Sequence, residues 1–200
     1  MTQKIGVFLS RMQPLHIGHL GIIEKALQEN DKVLIIIGSK NKSGTIRNPL
    51  DINIRREILV QALFEKFGQE YDGEIMLMEL PDWSMETDIE SNHEWGRYLY
   101  YNIVSRIEQK NFSIYFSDEK EIIEKWFEEA LAKRIEFKIF ERNNMFEAVS
   151  STKIRQAFID NDKEYIQKSC PNSVLNRYDT IKEIIERVYA NPVEDYKMEE

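Results

Sequence analysis

Two histidines near the start of the chain have the type and spacing expected of ligand-binding groups. They occur in the stretch SRMQPLHIGH, residues 10–19, which joins an apolar run to a segment of helical periodicity. His16 and His19 are therefore expected at a strand-to-helix turn, where free backbone N–H groups and the helix dipole favour an anion. Their imidazole N–H groups would add directed donors, and Gly18 would let a ligand approach the backbone closely. The segment predicts a phosphate-binding turn.

The same two histidines allow other interpretations. A His-x-x-His pair on a helix also occurs in metal sites, and either ring could instead cap the helix or pack in the core. The only other histidine is His93, and no carboxylate lies at a spacing that would complete a zinc site. We therefore expect no metal held by the protein itself, and phosphate binding is the favoured hypothesis.

A second candidate anion site occurs late in the chain, in the stretch SSTKIR, residues 150–155. Its hydroxyl residues, Ser151 and Thr152 among them, are expected to open a helix, and Arg155 follows about one turn later. Taken alone, the stretch is more typical of an ordinary helix N-cap. Its pairing with the histidine turn favours the anion-binding interpretation.

Composition restricts the classes of protein that the chain can represent. Its 200 residues suit one domain, which we place at 1–190, and Lys+Arg 27 against Asp+Glu 35 gives a net charge of −8. Because an acidic chain lacks the uniform attraction to phosphate that non-specific nucleic-acid binding requires, any phosphate site must be local. The single cysteine, Cys170, excludes an intrachain disulfide and a cysteine zinc cage, which favours a reducing, cytoplasmic setting. The longest apolar run, 33–37, is too short to span a membrane.

Alternating elements must position these side chains. Runs of β-branched and aromatic residues predict five strands, at residues 5–9, 33–37, 75–78, 112–116 and 135–140. Helical periodicity lies between them, and this alternation predicts parallel strands joined by right-handed crossovers, with helices on both faces. The expected fold is a doubly wound, five-stranded parallel α/β sheet.

The last quarter of the chain has a different pattern. It predicts a helical C-terminal cap, interrupted at Cys170-Pro171, with helices at 151–159, 164–168 and 173–189. Upstream, residues 81–92 are polar and acidic and are predicted to form a substrate loop, whereas the apolar spacing within 122–131 predicts another helix. Residues 191–200 form an acidic tail that we expect to fray or to act as a contact arm.

Together the two motifs resemble those of the HxGH nucleotidyltransferase superfamily, which is related in fold to class I aminoacyl-tRNA synthetases. They are His16-Ile17-Gly18-His19 after the first strand and Ser151-Thr152-Lys153-Ile154-Arg155 late in the chain. Within that superfamily, residues 11–16, RMQPLH, resemble the GRFQPFHxGH signature of the nicotinamide mononucleotide adenylyltransferases, particularly of the archaeal type. Further agreement, which extends over nearly the whole chain, comes from Ile37-Gly38-Ser39, from Ile46-Arg47-Asn48-Pro49 with Arg55, and from residues 88–95.

The resemblance implies a Rossmann-like fold and the transfer of the adenylyl group of ATP to nicotinamide mononucleotide, with Mg²⁺ carried by the ATP. It also implies a set of residues that bind the triphosphate or close on its β and γ phosphates: Arg11, His16, His19, Arg47, Ser151, Thr152 and Arg155. Catalysis would rest on His16, His19, Arg11 and Arg155. Gly18, Gly38 and Ser39 would line the ATP site.

On the acceptor side, the resemblance places Asn92 and Trp95 near the nicotinamide ring, although the helical spacing of Trp95 is also that of a core residue. The neighbouring acidic residues would disfavour a carboxylate on that ring, and they favour nicotinamide over nicotinate mononucleotide; they are Asp88, Glu90 and Glu94.

The chain departs from the family pattern at three places. Ser10 replaces the leading glycine, Leu15 replaces the aromatic residue before the first histidine, and residues 38–41 read GSKN where the family has GSAQ. Two alternatives therefore stay open: a related transferase with another phosphate acceptor, such as nicotinate mononucleotide, and a nucleotide-sensing module without turnover. No nucleic-acid or membrane partner is expected. The sequence does not determine the oligomeric state, and a homo-oligomer is compatible with it.

Overall fold

The computed structural model describes residues 3–68, 73–82, 89–116, 125–140 and 149–192, without the side chains of residues 89–91. Within this part the strands are β1 Ile5–Ser10, β2 Lys32–Ile37, β3 Ile75–Glu79, β4 Phe112–Phe116 and β5 Ile135–Ile139. The helices are α1 Ile17–Glu29, α2 Ile52–Phe67, α3 Ile89–Ile107, α4 Glu129–Ala132, α5 Ser151–Asp160, α6 Lys163–Ser169, α7 Asn172–Leu175 and α8 Tyr178–Ala190.

The strands form one parallel sheet in the order β3-β2-β1-β4-β5. From β1 the chain winds outward to β3 and then crosses back to β4, so the strand order reverses between β1 and β4. In open sheets of this kind, such a reversal leaves a crevice outside the carboxyl ends of the strands, and ligands bind there. The predicted doubly wound α/β fold is confirmed, and it directs attention to the residues that follow β1.

Two apolar cores cover the two faces of the sheet. Phe8 and Ile35 belong to the core beneath α1, α2 and the C-terminal helices. Val7 and Ile36 belong to the opposite core, beneath α3. Successive strand residues point to opposite faces, and residues 33–37 of β2 are apolar on both faces because helices cover both sides. The central strands are thereby fixed between two layers of helices.

The prediction of one continuous helix at 173–189 is wrong, because the segment forms two helices. α7 ends at Leu175 and α8 begins at Tyr178. At the interruption, the Arg177 guanidinium donates to the Ser173 carbonyl at 3.0 Å and to Gln61 Oε1 of α2 at 2.6 Å. The break is therefore stabilised by a contact with a helix far away in sequence.

The helix predicted within 122–131 is wrong for residues 125–128, residues 129–131 are helical, and residues 122–124 lie outside the described residues. Trp126 lies in a turn, and α4 comprises only the four residues Glu129–Ala132. This segment passes very close to α3, because a Cβ added at Gly96 would lie 1.6 Å from the Trp126 carbonyl oxygen. Contact with α3, rather than local periodicity, sets the path of the backbone here.

Other predicted boundaries need smaller changes. The interruption of the cap at Cys170-Pro171 is confirmed. α3 begins at Ile89, so the last part of the predicted substrate loop is helical, and residues 83–88 of that loop lie outside the described residues. Residues 193–200 of the acidic tail lie outside them as well. Across the described ranges, no helix is long and apolar enough to cross a membrane.

Candidate active site

The turn between β1 and α1 is anchored by its own side chains. Met12 and Leu15 are each 1% exposed and pack in the core, and Met12 adopts a left-handed φ of 52°. The buried Gln13 side chain donates to the Leu50 carbonyl and accepts from the Leu50 N–H, with both distances 2.9 Å. The Gln13 amide thus satisfies both the N–H and the carbonyl of Leu50, as the backbone of a paired strand would. The segment before α2 therefore helps to set the path of the turn.

His16 and His19 lie together at the N-terminus of α1. Their rings stack with centroids 3.6 Å apart and planes 20° from parallel, and both side chains are buried. The His16 N–H donates to His19 Nδ1 at 3.3 Å, and His19 Nε2 lies 3.0 Å from Ser10 Oγ. Because His19 Nδ1 accepts this backbone hydrogen bond, that nitrogen carries no proton. The turn holds its imidazoles beside the first-turn N–H groups of α1, a position that suits an anion.

Arg55 of α2 joins the loops that follow the first two strands. The residue is only 1% exposed, and its Nη1 donates to the Arg11 carbonyl at 2.9 Å and to the Gly38 carbonyl at 2.7 Å. Its Nη2 donates to the Ser39 carbonyl at 3.0 Å. Burial lowers the pKa of Arg55 to about 10, partly opposed by the charge of Asp51, so the guanidinium stays protonated at neutral pH. One buried cation thus ties together the carboxyl ends of β1 and β2.

Sequence reasoning assigned no role to Arg55, although the sequence contains a signal. Arg55 shares the buried face of α2 with Ile58, Leu59 and Ala62, at helical spacing. A charged residue is seldom fully buried unless it is paired, so its presence on an apolar face indicates a specific partner. One of its partners is local, the Asp51 carbonyl at 3.3 Å from Nε. The other three, backbone carbonyls on two loops, depend on the tertiary fold.

The predicted ATP-site residues after β2 are packed tightly. A Cβ added at Gly38 would lie 3.3 Å from Leu9 Cδ1, so the backbone passes close to β1. Ser39 is buried with a φ of 51°, and its hydroxyl lies 3.0 and 2.9 Å from the two carboxylate oxygens of Asp82, to which it donates. Asp82 also pairs with Lys42 at 3.0 Å. In this structure the Ser39 hydroxyl therefore helps to join the loops after β2 and β3.

The other predicted triphosphate residues of this half of the chain differ in exposure. Arg11 and Arg47 lie on the loops after β1 and β2, and both are exposed. Gly18 lies in the first turn of α1, where an added Cβ would be 3.1 Å from the His16 ring. A side chain at Gly18 would therefore disturb the stacked imidazoles as well as the approach of a ligand.

The late motif meets the histidine turn directly. Arg155 Nη1 donates to the Gln13 carbonyl at 2.8 Å, and the Ser151 hydroxyl donates to the Pro14 carbonyl at 3.0 Å. Arg155 Nη2 also donates to Thr152 Oγ1 at 3.2 Å. Residues separated by more than 130 positions in the chain are thereby brought into contact.

The first residues of α5 have distinct roles. Ser150 is the N-cap, and its hydroxyl accepts from the Lys153 N–H at 3.2 Å. Thr152 is exposed, whereas Arg155 is only 6% exposed. The helix start is therefore capped in the ordinary way, and the nearby Arg155 is held inside the fold by the turn after β1.

Asn92 and Trp95 both lie in α3, on the opposite face of the sheet from α1, and are half-buried. The Trp95 ring makes an edge-to-face contact with Trp126, with centroids 6.2 Å apart, and a tilted contact with Tyr98 at 5.8 Å. Trp95 thus packs against the second core and still exposes part of its surface. Of the acidic residues near it, Glu94 is exposed, Asp88 lies outside the described residues, and the Glu90 side chain is among those not described.

Comparison with known proteins identifies the family that the chain resembles. The family model described as cytidylyltransferase-like matches residues 7–157. The nicotinamide-nucleotide adenylyltransferase of Thermococcus sibiricus is 34% identical over 185 residues, which are 92% of this chain and 87% of that protein. The protein of the same name from Methanococcus aeolicus is 29% identical over 175 residues, 88% of each chain.

Solved structures share the fold. The bifunctional NMN adenylyltransferase/ADP ribose pyrophosphatase of Francisella tularensis, complexed with AMP and a Mn ion, has a TM-score of 0.69 at 22% identity. The match covers 94% of this chain and 52% of that one, so the chain spans about half of its length. NadR protein in complex with NAD and AMP-PNP has a TM-score of 0.56 at 23% identity, and the match covers 78% of this chain and 42% of that one. With the family match and the full-length similarity to the Thermococcus protein, these findings show that the chain belongs to the cytidylyltransferase-like family.

Proposed function

We propose that this protein transfers the adenylyl group of ATP to nicotinamide mononucleotide, forming NAD and pyrophosphate. The observation that carries the proposal is the meeting of the two motifs, with Arg155 bound to the Gln13 carbonyl beside His16 and His19. This meeting point lies at the strand reversal, where a ligand is expected, and it offers groups to a triphosphate from two sides. The full-length similarity to the Thermococcus sibiricus protein supports the same reaction.

The reaction needs alignment and neutralisation of charge rather than a protein nucleophile. A phosphate oxygen of the mononucleotide attacks the α-phosphorus of ATP and forms a new P–O bond. The bond from that phosphorus to the α-β bridging oxygen breaks, and pyrophosphate leaves with its electrons. Donors held in place before the reaction stabilise the charge that accumulates on the leaving group. His16, His19 and the N-terminus of α1 would do this at the turn, with Arg11 and Arg47 adding charge from exposed loops.

Mg²⁺ enters this proposal as part of the ATP substrate. Among the described residues, no group of three or more His, Cys, Asp or Glu side chains is placed to hold a metal ion. Magnesium retains several waters and is commonly held by substrate phosphates, so a site rich in phosphate-binding donors suits it. The Francisella protein, whose structure contains AMP and a Mn ion, supports the use of a divalent cation with the nucleotide.

Trp95 and Asn92 are the proposed acceptor-side residues, with the nicotinamide ring against the indole. We assign residues 1–190 to one nucleotidyltransferase domain, with a helical cap from about residue 151. The single cysteine, which is buried, fits a cytoplasmic enzyme.

An acceptor screen tests the proposed function. Pyrophosphate release from MgATP is measured with nicotinamide mononucleotide, nicotinate mononucleotide and phosphopantetheine, and the dinucleotide product is identified by chromatography. We expect the fastest release with nicotinamide mononucleotide, together with stoichiometric NAD. Faster release with another acceptor would instead establish a related transferase, and ATP binding without product would establish a nucleotide sensor.

Arg155→Ala should raise the Michaelis constant for ATP by about tenfold and slow turnover, because a charge-assisted hydrogen bond to phosphate is worth roughly 1.5–3 kcal/mol. Steady-state titrations of ATP at saturating acceptor measure both effects. Gln156→Ala is the matched control, since Gln156 is the next residue of α5 and is exposed. If Arg155 only holds the Gln13 carbonyl, thermal stability falls while the Michaelis constant stays unchanged, which would contradict a role in binding ATP.

Trp95→Ala should weaken the mononucleotide more than ATP, because the cationic nicotinamide ring is attracted to an indole face. Because such an interaction is worth ~0.5–2 kcal/mol, the Michaelis constant of the acceptor should rise by between several-fold and about thirtyfold. Separate titrations of the two substrates measure this, with Tyr101→Ala as the control, because Tyr101 lies on α3 and is 61% exposed. Equal losses for both substrates would assign Trp95 to the core alone.

A further inference from the structure

The last residue of β1 makes a contact with the site that the family signature does not contain. Ser10 stands where that signature has glycine, and Ser10 Oγ lies 3.0 Å from His19 Nε2. The same oxygen accepts from the Met12 N–H at 3.3 Å. Glycine would offer no oxygen here, so this hydrogen-bonded pair depends on the serine.

The hydrogen bonds around His19 determine where its proton lies. A backbone N–H can only donate, so His19 Nδ1, which receives the His16 N–H at 3.3 Å, must be an acceptor. The proton of the neutral ring therefore lies on Nε2, the nitrogen that faces Ser10. Nε2–H donates to Ser10 Oγ, and the serine stabilises this tautomer.

The same accounting applies to the Ser10 hydroxyl. A serine oxygen offers two lone pairs and one O–H donor. The Met12 N–H and His19 Nε2–H use both lone pairs, so the O–H is directed elsewhere. Ser10 is half-buried and lies next to the N-terminus of α1, where the backbone N–H groups and the helix dipole attract an anion.

We propose that Ser10 and His19 form one donor unit in this protein: Ser10 Oγ holds the His19 Nε2–H, and the Ser10 O–H donates to a phosphate oxygen of ATP. The identification of the anion as an ATP phosphate rests on the proposed function. Ser10 is then both a positioning residue for His19 and a phosphate-binding residue. Without the His19 ring, the Ser10 O–H is no longer held in the direction of the phosphate.

Nuclear magnetic resonance of the imidazole nitrogens tests the pair independently of activity. The chain has only three histidines, so the His19 signals can be assigned with a His19→Gln variant. We expect His19 to be the Nε2–H tautomer in the unaltered protein and in both Ser10→Ala and Ser10→Gly, because Nδ1 still accepts from the His16 N–H. In both variants the Nε2–H signal should move upfield and exchange faster with water, since it has lost the Ser10 oxygen. An unchanged Nε2–H signal in both variants would overturn the positioning role. If the protein had no transferase activity, this measurement would still test the pair.

Kinetics test the phosphate contact. Ser10→Ala and Ser10→Gly should each raise the Michaelis constant for ATP by about tenfold, with the acceptor constant unchanged. Ser113→Ala is the control. Ser113 also lies in the sheet, at the start of β4, but its hydroxyl is bonded to Glu136. A loss confined to the alanine variant would reflect its methyl group rather than a missing hydroxyl, and would overturn the proposal.

A double-mutant cycle links the two residues. Within one donor unit, Ser10→Ala should cost much less in a His19→Ala background than in the unaltered protein. Circular dichroism and thermal unfolding show that each variant is folded before its kinetics are compared. Strictly additive effects would show that Ser10 and His19 act independently.

Discussion

His19→Ala lowers turnover by about a hundredfold or more while the fold is retained, because a donor directed at developing phosphate charge is typically worth ~3 kcal/mol in the transition state. The structure strengthens this expectation. The ring is stacked on His16 with centroids 3.6 Å apart and is bonded at both nitrogens, so it holds the Ser10 hydroxyl, which is the phosphate donor of the proposed pair, in position before any ligand arrives. A donor that needs no reorganisation stabilises the transition state most effectively.

Turnover at saturating ATP and acceptor decides this prediction, and circular dichroism verifies the fold. Gln28→Ala provides the control, since Gln28 is an exposed residue of the same helix. Near-normal turnover of His19→Ala, with Gln28→Ala also normal, would assign the ring to packing and remove it from the proposed catalytic set.

Arg55→Met destabilises the fold by about 3 kcal/mol or more, because it leaves the carbonyls of Arg11, Gly38 and Ser39 without their shared donor. The hydrogen bonds to Gly38 and Ser39 are buried and the one to Arg11 is partly buried, so the cost exceeds that of a single exposed hydrogen bond. In a chain of this length, the unfolding midpoint should fall by on the order of 10 °C. Activity should fall too, since the loops after β1 and β2 lose their common anchor.

Thermal and urea unfolding measure the effect, and the neighbouring arginine gives a close control. Arg56 follows directly in α2, but its side chain is 52% exposed and lies 3.6 Å from Glu79. Arg56→Met should cost less than about 1 kcal/mol, as is usual for an exposed ion pair. Similar losses for the two variants would show that burial and the three carbonyls do not distinguish Arg55.

A shared anchoring scheme relates these two predictions. Gln13 binds the Leu50 backbone through its side chain and receives Arg155 at its carbonyl. Arg55 binds the carbonyl of Arg11, two residues earlier. The histidine turn is thus held from both α2 and α5. Such support is what a site requires when its work is to align phosphates rather than to form a covalent intermediate.

The sequence alone was sufficient for the features that depend on local order. The five strands and the first two helices of the cap were placed to within one residue, because both faces of the sheet are buried and the apolar pattern is strong. The helices predicted within 122–131 and at 173–189 were not. The strand-to-helix turn at His16 and the helix start at Ser150 were readable from local chemistry. Family membership followed from the two motifs, and the comparisons confirm it.

Only the tertiary structure decided which groups meet. Trp126 is in a turn because α3 lies against its backbone, and the α7–α8 break carries Arg177 to Gln61. Nothing local to α2 indicates that the donors of Arg55 reach the Arg11 carbonyl, 44 residues away. The partner of Ser10 likewise depends on the angle at which α1 leaves β1. Hydrogen bonds between distant segments depend on how the layers pack, and the periodicity of a single segment carries no record of that packing.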